Sequence, residues 1–222
     1  MTDPDRDAAR AAGELARDIA AREIAPHVDA WGAPDAAGPP GDVGRALADA
    51  GLLDADLEPG VRVEVAFALG RAGLRAALTA MDVEPGDPAD PMCFAAALAG
   101  AGDALVECGI AYAKERVVFG RPLAKMPVQR SLFAAAAADI DAAIALCRRA
   151  AVLGDPLDVA SALPCAADAA WRAAETALQV HGGYGYTDEY PVSRMWREVA
   201  AARTAIARGA SDDLTWGAIT AT

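Results

Sequence analysis

Residues 94–112 read FAAALAGAGDALVECGIAY, and this stretch decides the fold class. Phe94, Leu98, Ala101, Leu105, Cys108 and Tyr112 recur at alternating intervals of four and three. That period, close to 3.5, draws one apolar stripe along a helix packed against several others in a bundle. Phe119-Gly120-Arg121-Pro122 breaks the helix. The next runs from about Pro127, a favoured first helical residue, and turns Leu132, Ala136, Ile140, Ile144 and Cys147 inward until Gly154-Asp155-Pro156. A third carries Leu163, Ala167, Ala170, Ala174 and Ala177, small enough for a close neighbour, and stops at the glycine-rich turn 182–185. The last starts near Pro191 and buries Val192, Met195, Val199, Ala202 and Ile206.

Upstream, a first helix is expected from about Asp5 to Ala25, with Ala8, Ala12, Leu15 and Ile19 on one face. Residues 32–41 are a Gly- and Pro-rich loop. A short helix follows from about Asp42, capped by Gly51, with Val43, Ala46, Leu47 and Ala50 on one side. A further helix begins near Val61 and keeps its period through Val63, Phe67, Gly70, Leu74 and Leu78. VEPGDPADP (83–91) holds three prolines and a glycine, which neither helix nor strand can cross. The expectation is all-α: an N-terminal helical region (1–82), a linker (83–91) and a four-helix-bundle-like domain (92–222), together one compact unit.

Composition agrees. Hydrophobic residues make up 54% of the 222, enough for a sizeable core, whereas aromatics are only 5% and β-branched residues sparse, which argues against extensive sheet. The net charge is −12, and no basic stripe is available to displace counterions from a nucleic acid. Cys93, Cys108, Cys147 and Cys165 stand 15, 39 and 18 residues apart, and with two histidines no metal-ligand spacing arises. Reduced, buried thiols and a polar N-terminus unlike a signal peptide point to a cytoplasmic protein. No apolar run suggests a membrane span.

Three stretches carry more than packing requires. Arg116 closes the helix before Phe119-Gly120, where a cation complements the helix dipole. Gln179 to Tyr186 contains two adjacent glycines, Gly182 and Gly183, which permit positive φ and let a ligand approach the backbone. His181 precedes that turn as a capping or core residue. Pro191-Val192-Ser193-Arg194, with Arg197-Glu198, reads as a helix start followed by surface ion pairs.

Taken in order, these stretches resemble the helical domain of the acyl-CoA dehydrogenases. The matching residues are Tyr112, Arg116, Phe119 and Gly120 of YAKERVVFG (112–120) and Gln179, Gly182, Gly183, Gly185 and Tyr186 of QVHGGYGYTDEYP (179–191). Glu189, Pro191, Val192, Arg197 and Glu198 complete the set. The resemblance covers 92–207, and REIAPHVDAW (22–31) with ALADAGLLDADL (46–57) resemble the family's N-terminal helices. It implies a homo-oligomer, or a hetero-oligomer with a full-length subunit, that binds FAD and oxidises an acyl thioester between its α and β carbons. Arg116 would then approach the FAD pyrophosphate and Phe119 the adenosine half. Gln179, Gly182 and Gly183 would contact that half, typically from the neighbouring subunit.

The chain departs from the family in two places. VEPGDPADP holds the position of the family's middle β domain, so no such domain is expected. The family's usual catalytic glutamate falls on Ile206, which continues an apolar stripe. Some relatives place the base where Asp90 stands, although a helix N-cap is the simpler role for that aspartate. Pro127 stands where the family often has glutamine, with Gln129 two residues late. Three functions follow in order: an FAD-linked subunit, a flavin-free enzyme drawing on Asp90, His181, Tyr112, Tyr186 and Glu189, and a non-catalytic scaffold.

Overall fold

The computed structural model describes residues 3–27, 42–54, 56–83 and 90–208. Its architecture is all-α. The bundle consists of α5 (Pro91–Glu115), α6 (Pro127–Leu153), α7 (Pro156–His181) and α8 (Pro191–Arg208). Before it come α1 (Asp3–Glu23), α2 (Asp42–Asp49), α3 (Pro59–Ala72) and α4 (Leu74–Ala80).

Missing side chains set the centre of the bundle. A Cβ on Gly102 would meet the Cα of Ala170 at 3.0 Å, and one on Gly109 would meet the Cα of Ala177 at 3.2 Å. Both pairs advance by seven residues, two helical turns, so α5 and α7 run in the same direction along a seam of small residues. α6 crosses that seam in reverse, with Phe133 against Gly109 and Ile140 against Gly102. α8 also runs back along α7: Tyr190 lies beside His181, while Arg203 reaches Asp168 and covers the Trp171 ring. The order is up, down, up, down. α5 is buried on nearly every side from Cys93 to Gly102. It is long and apolar enough to cross a bilayer, but 72% of its apolar window is covered by the protein, which makes it the core helix.

α3 is brought onto α5 by the same device. Cβ atoms on Gly70 and Gly100 would strike the backbone of Ala97 and of Phe67, respectively. Ion pairs fasten the contact, from Arg62 to Asp90 and from Arg71 to Asp103 and Glu107. Arg148 of α6 holds Glu64 of α3 through Nε at 2.5 Å and Nη2 at 3.1 Å. One continuous core therefore includes residues from both sides of 83–91.

Local signals account for most element ends. Gly51 has φ of 69° and closes α2, with the Leu52 N–H donating to Leu47 O at 2.9 Å. Gly154 takes the left-handed conformation after α6, and Asp155 then caps α7 by accepting from the N–H groups of Leu157 and Asp158 at 3.0 and 3.1 Å.

Four expectations need correction. The helix expected from Val61 to residue 82 is two, because Gly73 ends α3 by donating to Leu69 O and starts α4 by accepting from the Ala77 N–H. Leu74 and Leu78 remain buried across the break, which hides it from a count of apolar spacing. On α1, Ile19 is buried as expected and Ala12 packs against the core, but Leu15 is 43% exposed and Ala8 is exposed, while Ala9, Gly13, Ala16 and Ala20 are buried instead. The close approach of Gly13 to Glu64 selects the small-residue face over the one bearing leucine. On α6, Phe133 replaces Leu132 in the core because only the phenyl ring meets the surface of Gly109. Phe119-Gly120 also does more than end a helix, since it forms the turn of a two-stranded hairpin, β1 (Val117–Val118) and β2 (Arg121–Pro122).

Gly109→Val tests the seam. Its added carbons would collide with the Phe133 ring, whose atoms lie 2.6 and 2.7 Å from the site of a Cβ. Overpacking of this kind destabilises by about 1–3 kcal/mol. The expected outcome is a lower denaturant midpoint with an unchanged slope, measured by circular dichroism.

Candidate functional site

The seam that aligns α5 with α7 also brings their C-terminal ends together. Tyr112 stacks on His181 with centroids 4.1 Å apart and planes 26° from parallel. Tyr190 meets both rings edge-on, at 5.6 and 5.4 Å, and Tyr184 lies 5.7 Å from Tyr190. Beside this cluster opens a cleft of about 440 Å³. Tyr112, Arg116 and Val118 form one wall, and His181, Gly182 and Gly183 form another.

The histidine belongs to the wall's framework. It is 3% exposed, and its Nδ1 lies 2.7 Å from Ala177 O, which can only accept, so Nδ1–H donates. Burial pushes its pKa below the ordinary value and outweighs the opposing effect of the hydrogen bond.

The glycines of the turn divide by role. Gly185 is held tightly, 2.8 Å from Leu178 O at its Cβ position, so packing alone accounts for it. Gly182 needs its glycine for φ of 60°. Gly183 needs it for neither reason, and nothing lies within 4 Å of its Cβ position or that of Gly182. Two adjacent residues thus present bare backbone to the cleft. Arg116, exposed at the end of α5, supplies the cation opposite.

Phe119 lies next to this wall in an unusual conformation. It has φ of 51° and Gly120 has φ of 75°, as a two-residue type I′ hairpin turn requires. Glycine adopts that conformation freely, whereas a bulky side chain is strained there. The Leu123 N–H donates to Arg116 O at 2.9 Å and holds the base of the hairpin. The phenyl ring is left 93% exposed.

Arg116, Gly182 and Gly183 are therefore brought together within one chain, rather than across two subunits as the resemblance implied, with Phe119 beside them and Gln179 exposed one turn earlier on α7. Asp90 is not among them. It caps α5 by accepting the Cys93 N–H at 3.0 Å and is ion-paired with Arg62. At 1.5 Å per residue it lies about 39 Å along α5 from Arg116. Ile206 is 8% exposed and packs in the core. The two buried thiols are held protonated: burial pushes Cys147 up to about 12 and, together with the Asp90 carboxylate, raises Cys93.

Arg194 departs from its expected surface role. Its side chain and that of Glu198 are 9% and 11% exposed and 3.0 Å apart. Glu198 also accepts the Arg75 N–H of α4, because α8 is covered from that side. Arg197 does lie near the surface, bonded to Asp188 and Ser193 at 2.7 Å each, and it fixes the segment leading into α8. Tyr190 escaped the sequence reading. A lone aromatic before Pro191 was its only signal, and its partners come from two separate segments, Tyr112 on α5 and His181 with Tyr184 at the end of α7.

An all-α bundle that sets a helix-terminal arginine against an open glycine turn is the class that fold and site define. Residues 64–213 match the acyl-CoA dehydrogenase C-terminal domain, more than half of the chain, and the chain belongs to the acyl-CoA dehydrogenase family. Cyclohexane-1-carbonyl-CoA dehydrogenase of Geobacter metallireducens is 33% identical over 156 residues, 68% of this chain and 40% of that protein. Butyryl-CoA dehydrogenase of Megasphaera elsdenii has a similar structure, with TM-score 0.54 and 30% identity over 71% of this chain and 38% of that one. A chain of the ChsE4-ChsE5 complex from Mycobacterium tuberculosis shares the fold, with TM-score 0.72 and 19% identity, and 96% of each chain is covered. The chain spans between 27% and 40% of the length of the curated relatives it matches.

The His181 environment predicts a pH dependence. The unfolded chain takes up a proton near pH 6.5 and the folded chain only at lower pH. The contribution to stability is thus whole above about 6.5 and is lost as pH falls below it. The urea midpoint should decline over that range, and His181→Phe, which keeps an aromatic ring on Tyr112, should flatten the decline.

Proposed function

We propose that the chain is a helical subunit supplying the adenosine-diphosphate half of an FAD site, within an oligomer whose complete centre oxidises an acyl thioester between its α and β carbons. One observation carries this reading: Arg116 and the bare backbone of Gly182 and Gly183 converge on one cleft, with Phe119 held out beside it.

The residues fit that half of the cofactor. A guanidinium offers a planar fork of donors to a pyrophosphate. Glycine backbone without neighbours admits a phosphate or ribose at close range. An exposed phenyl ring offers a face to an adenine. In the FAD reading Arg116 holds the pyrophosphate, Phe119 packs on the adenosine, and Gln179, Gly182 and Gly183 line the other side. FAD, when bound, supplies a hydride acceptor for the β carbon.

For the reacting half of the site the described residues offer no counterpart. Ile206 carries no ionisable group, and Asp90 is committed to its helix cap and to Arg62. Only ten residues separate α4 from α5, too few for a β domain. A partner subunit must then bring the carboxylate and the wall for the flavin ring. Hetero-oligomerisation has a parallel in the fold neighbour found in the ChsE4-ChsE5 complex. Buried free thiols suit a cytoplasmic setting. The flavin-free reading has less support, since His181 and Tyr112 are stacked in the wall while Asp90 lies at the far end of α5.

The test is whether flavin copurifies. The chain is prepared alone and co-expressed with a full-length acyl-CoA dehydrogenase-like partner, and the visible spectrum of each is recorded. Flavin absorbance is expected at least in the co-expressed complex, and its absence from both preparations overturns the reading. Arg116→Ala should lower FAD affinity by about tenfold or more, since a hydrogen bond to a charged group contributes roughly 1.5–3 kcal/mol.

A further inference from the structure

A second cavity, of about 560 Å³, lies between the N-terminal half of α1 and the last turns of α6. Four arginines line it, Arg6 and Arg10 from α1 and Arg148 and Arg149 from α6, in a chain whose net charge is −12. Besides the arginines, the lining holds the apolar Ala9, Val152 and Leu153 and the carboxylate residue Glu64. Val152 is 46% and Leu153 65% exposed, so this surface lacks a cover among the described residues. Arg148 lies 21 residues beyond Pro127, so the groove is about 30 Å from the hairpin end of α6 at 1.5 Å per residue.

Carboxylates orient the arginines without using up their donors. Glu64 takes the Nε and Nη2 side of Arg148, and Asp158 takes the same side of Arg149, at 2.8 Å for Nε and 2.5 Å for Nη2. Each guanidinium is thereby held flat, with Nη1 on the other side. Arg10 is bonded to Glu14 through Nε alone, at 3.1 Å, which leaves both of its Nη groups. Arg6 has no ion-pair partner among the described residues. The carboxylates Glu14, Glu64 and Asp158 offset most of the charge, so what the groove offers an anion is a set of oriented donors.

We propose that this groove binds a single-chain amphiphilic anion, its acyl chain lying on Ala9, Val152 and Leu153 and its head held by Arg6 and Arg10 with help from the two arginines of α6. A groove of this volume suits a ligand of that size. Two clamped guanidinium groups beside an apolar strip bind an anionic head and a hydrocarbon tail together better than either alone. The head is a carboxylate or a phosphate, which share this chemistry. The site is independent of the FAD reading and of Arg116.

Calorimetric titration of the purified chain with dodecanoate and with dodecyl phosphate, below their micelle thresholds, tests it. Dodecanol and inorganic phosphate serve as controls. Saturable binding of one or both amphiphiles is expected, the stronger one naming the head group, with both controls at least tenfold weaker. No saturable amphiphile binding overturns the proposal. So does equal binding of dodecanol, which would mean a purely apolar surface, or of phosphate, which would mean the tail is not held.

Arg6→Gln with Arg10→Gln should weaken binding about tenfold while thermal unfolding is unchanged, since both side chains lie on the exposed side of α1. Leu153→Asp should weaken it similarly, and Arg116→Ala should leave it unaltered. Affinity unaffected by the arginine pair assigns the binding elsewhere and overturns the proposal.

Discussion

Gly102 and Gly109 bring α5 so close to α7 that their backbones nearly touch along two turns, opposite Ala170 and Ala177. At that separation the register cannot slide, because any larger residue brought into the seam would collide. The constraint spreads outward. It leaves the surface that Phe133 and Ile140 fill from α6, and it sets the level at which α5 and α7 end. Tyr112 therefore meets His181, and Arg116 comes to face Gly182 and Gly183 although more than sixty residues separate them in sequence.

Close packing of this kind is also how an alanine-rich chain forms a core. Alanine buries little area, so each contact contributes little through the hydrophobic effect. Helices must compensate by approaching closely, which increases dispersion contacts between backbones. The same principle places α1 on α3 at Gly13 and α3 on α5 at Gly70 and Gly100. Ion pairs then fix orientations that small smooth surfaces leave open, as Arg148 with Glu64 and Arg71 with Asp103 and Glu107 do.

The two ends of the bundle differ in what they expose. At one, the glycine turn and hairpin present bare backbone, a guanidinium and a strained, solvent-facing Phe119. Strain at a non-glycine turn residue persists only where surrounding structure enforces it, here the Leu123–Arg116 hydrogen bond and the β1–β2 pairing. At the other end, Asp90 and Asp155 serve as helix caps, and arginines gather over Val152 and Leu153. Asp90 caps α5, the role its place before Pro91 already suggested, and its pairing with Arg62 commits the carboxylate further.

Sequence alone determined the all-α class, the four bundle helices, and their Gly-Asp-Pro and proline boundaries, whereas the meeting of Arg116 with Gly182 and Gly183 in one cleft came from the packing of α5 on α7. The class, helices and boundaries are local properties: apolar period, capping chemistry and backbone freedom each act within a few residues. Tertiary structure decided which face each helix buries where two were plausible. Phe133 was chosen over Leu132, and the Ala9–Gly13–Ala16 face of α1 over the face with Leu15. It also decided that Gly73 divides one apolar stripe into two helices, that Arg194 is buried, and that Tyr190 joins the site. Each outcome depends on the shape of a neighbour distant in sequence, and a glycine in that neighbour selects its counterpart through the space it leaves empty.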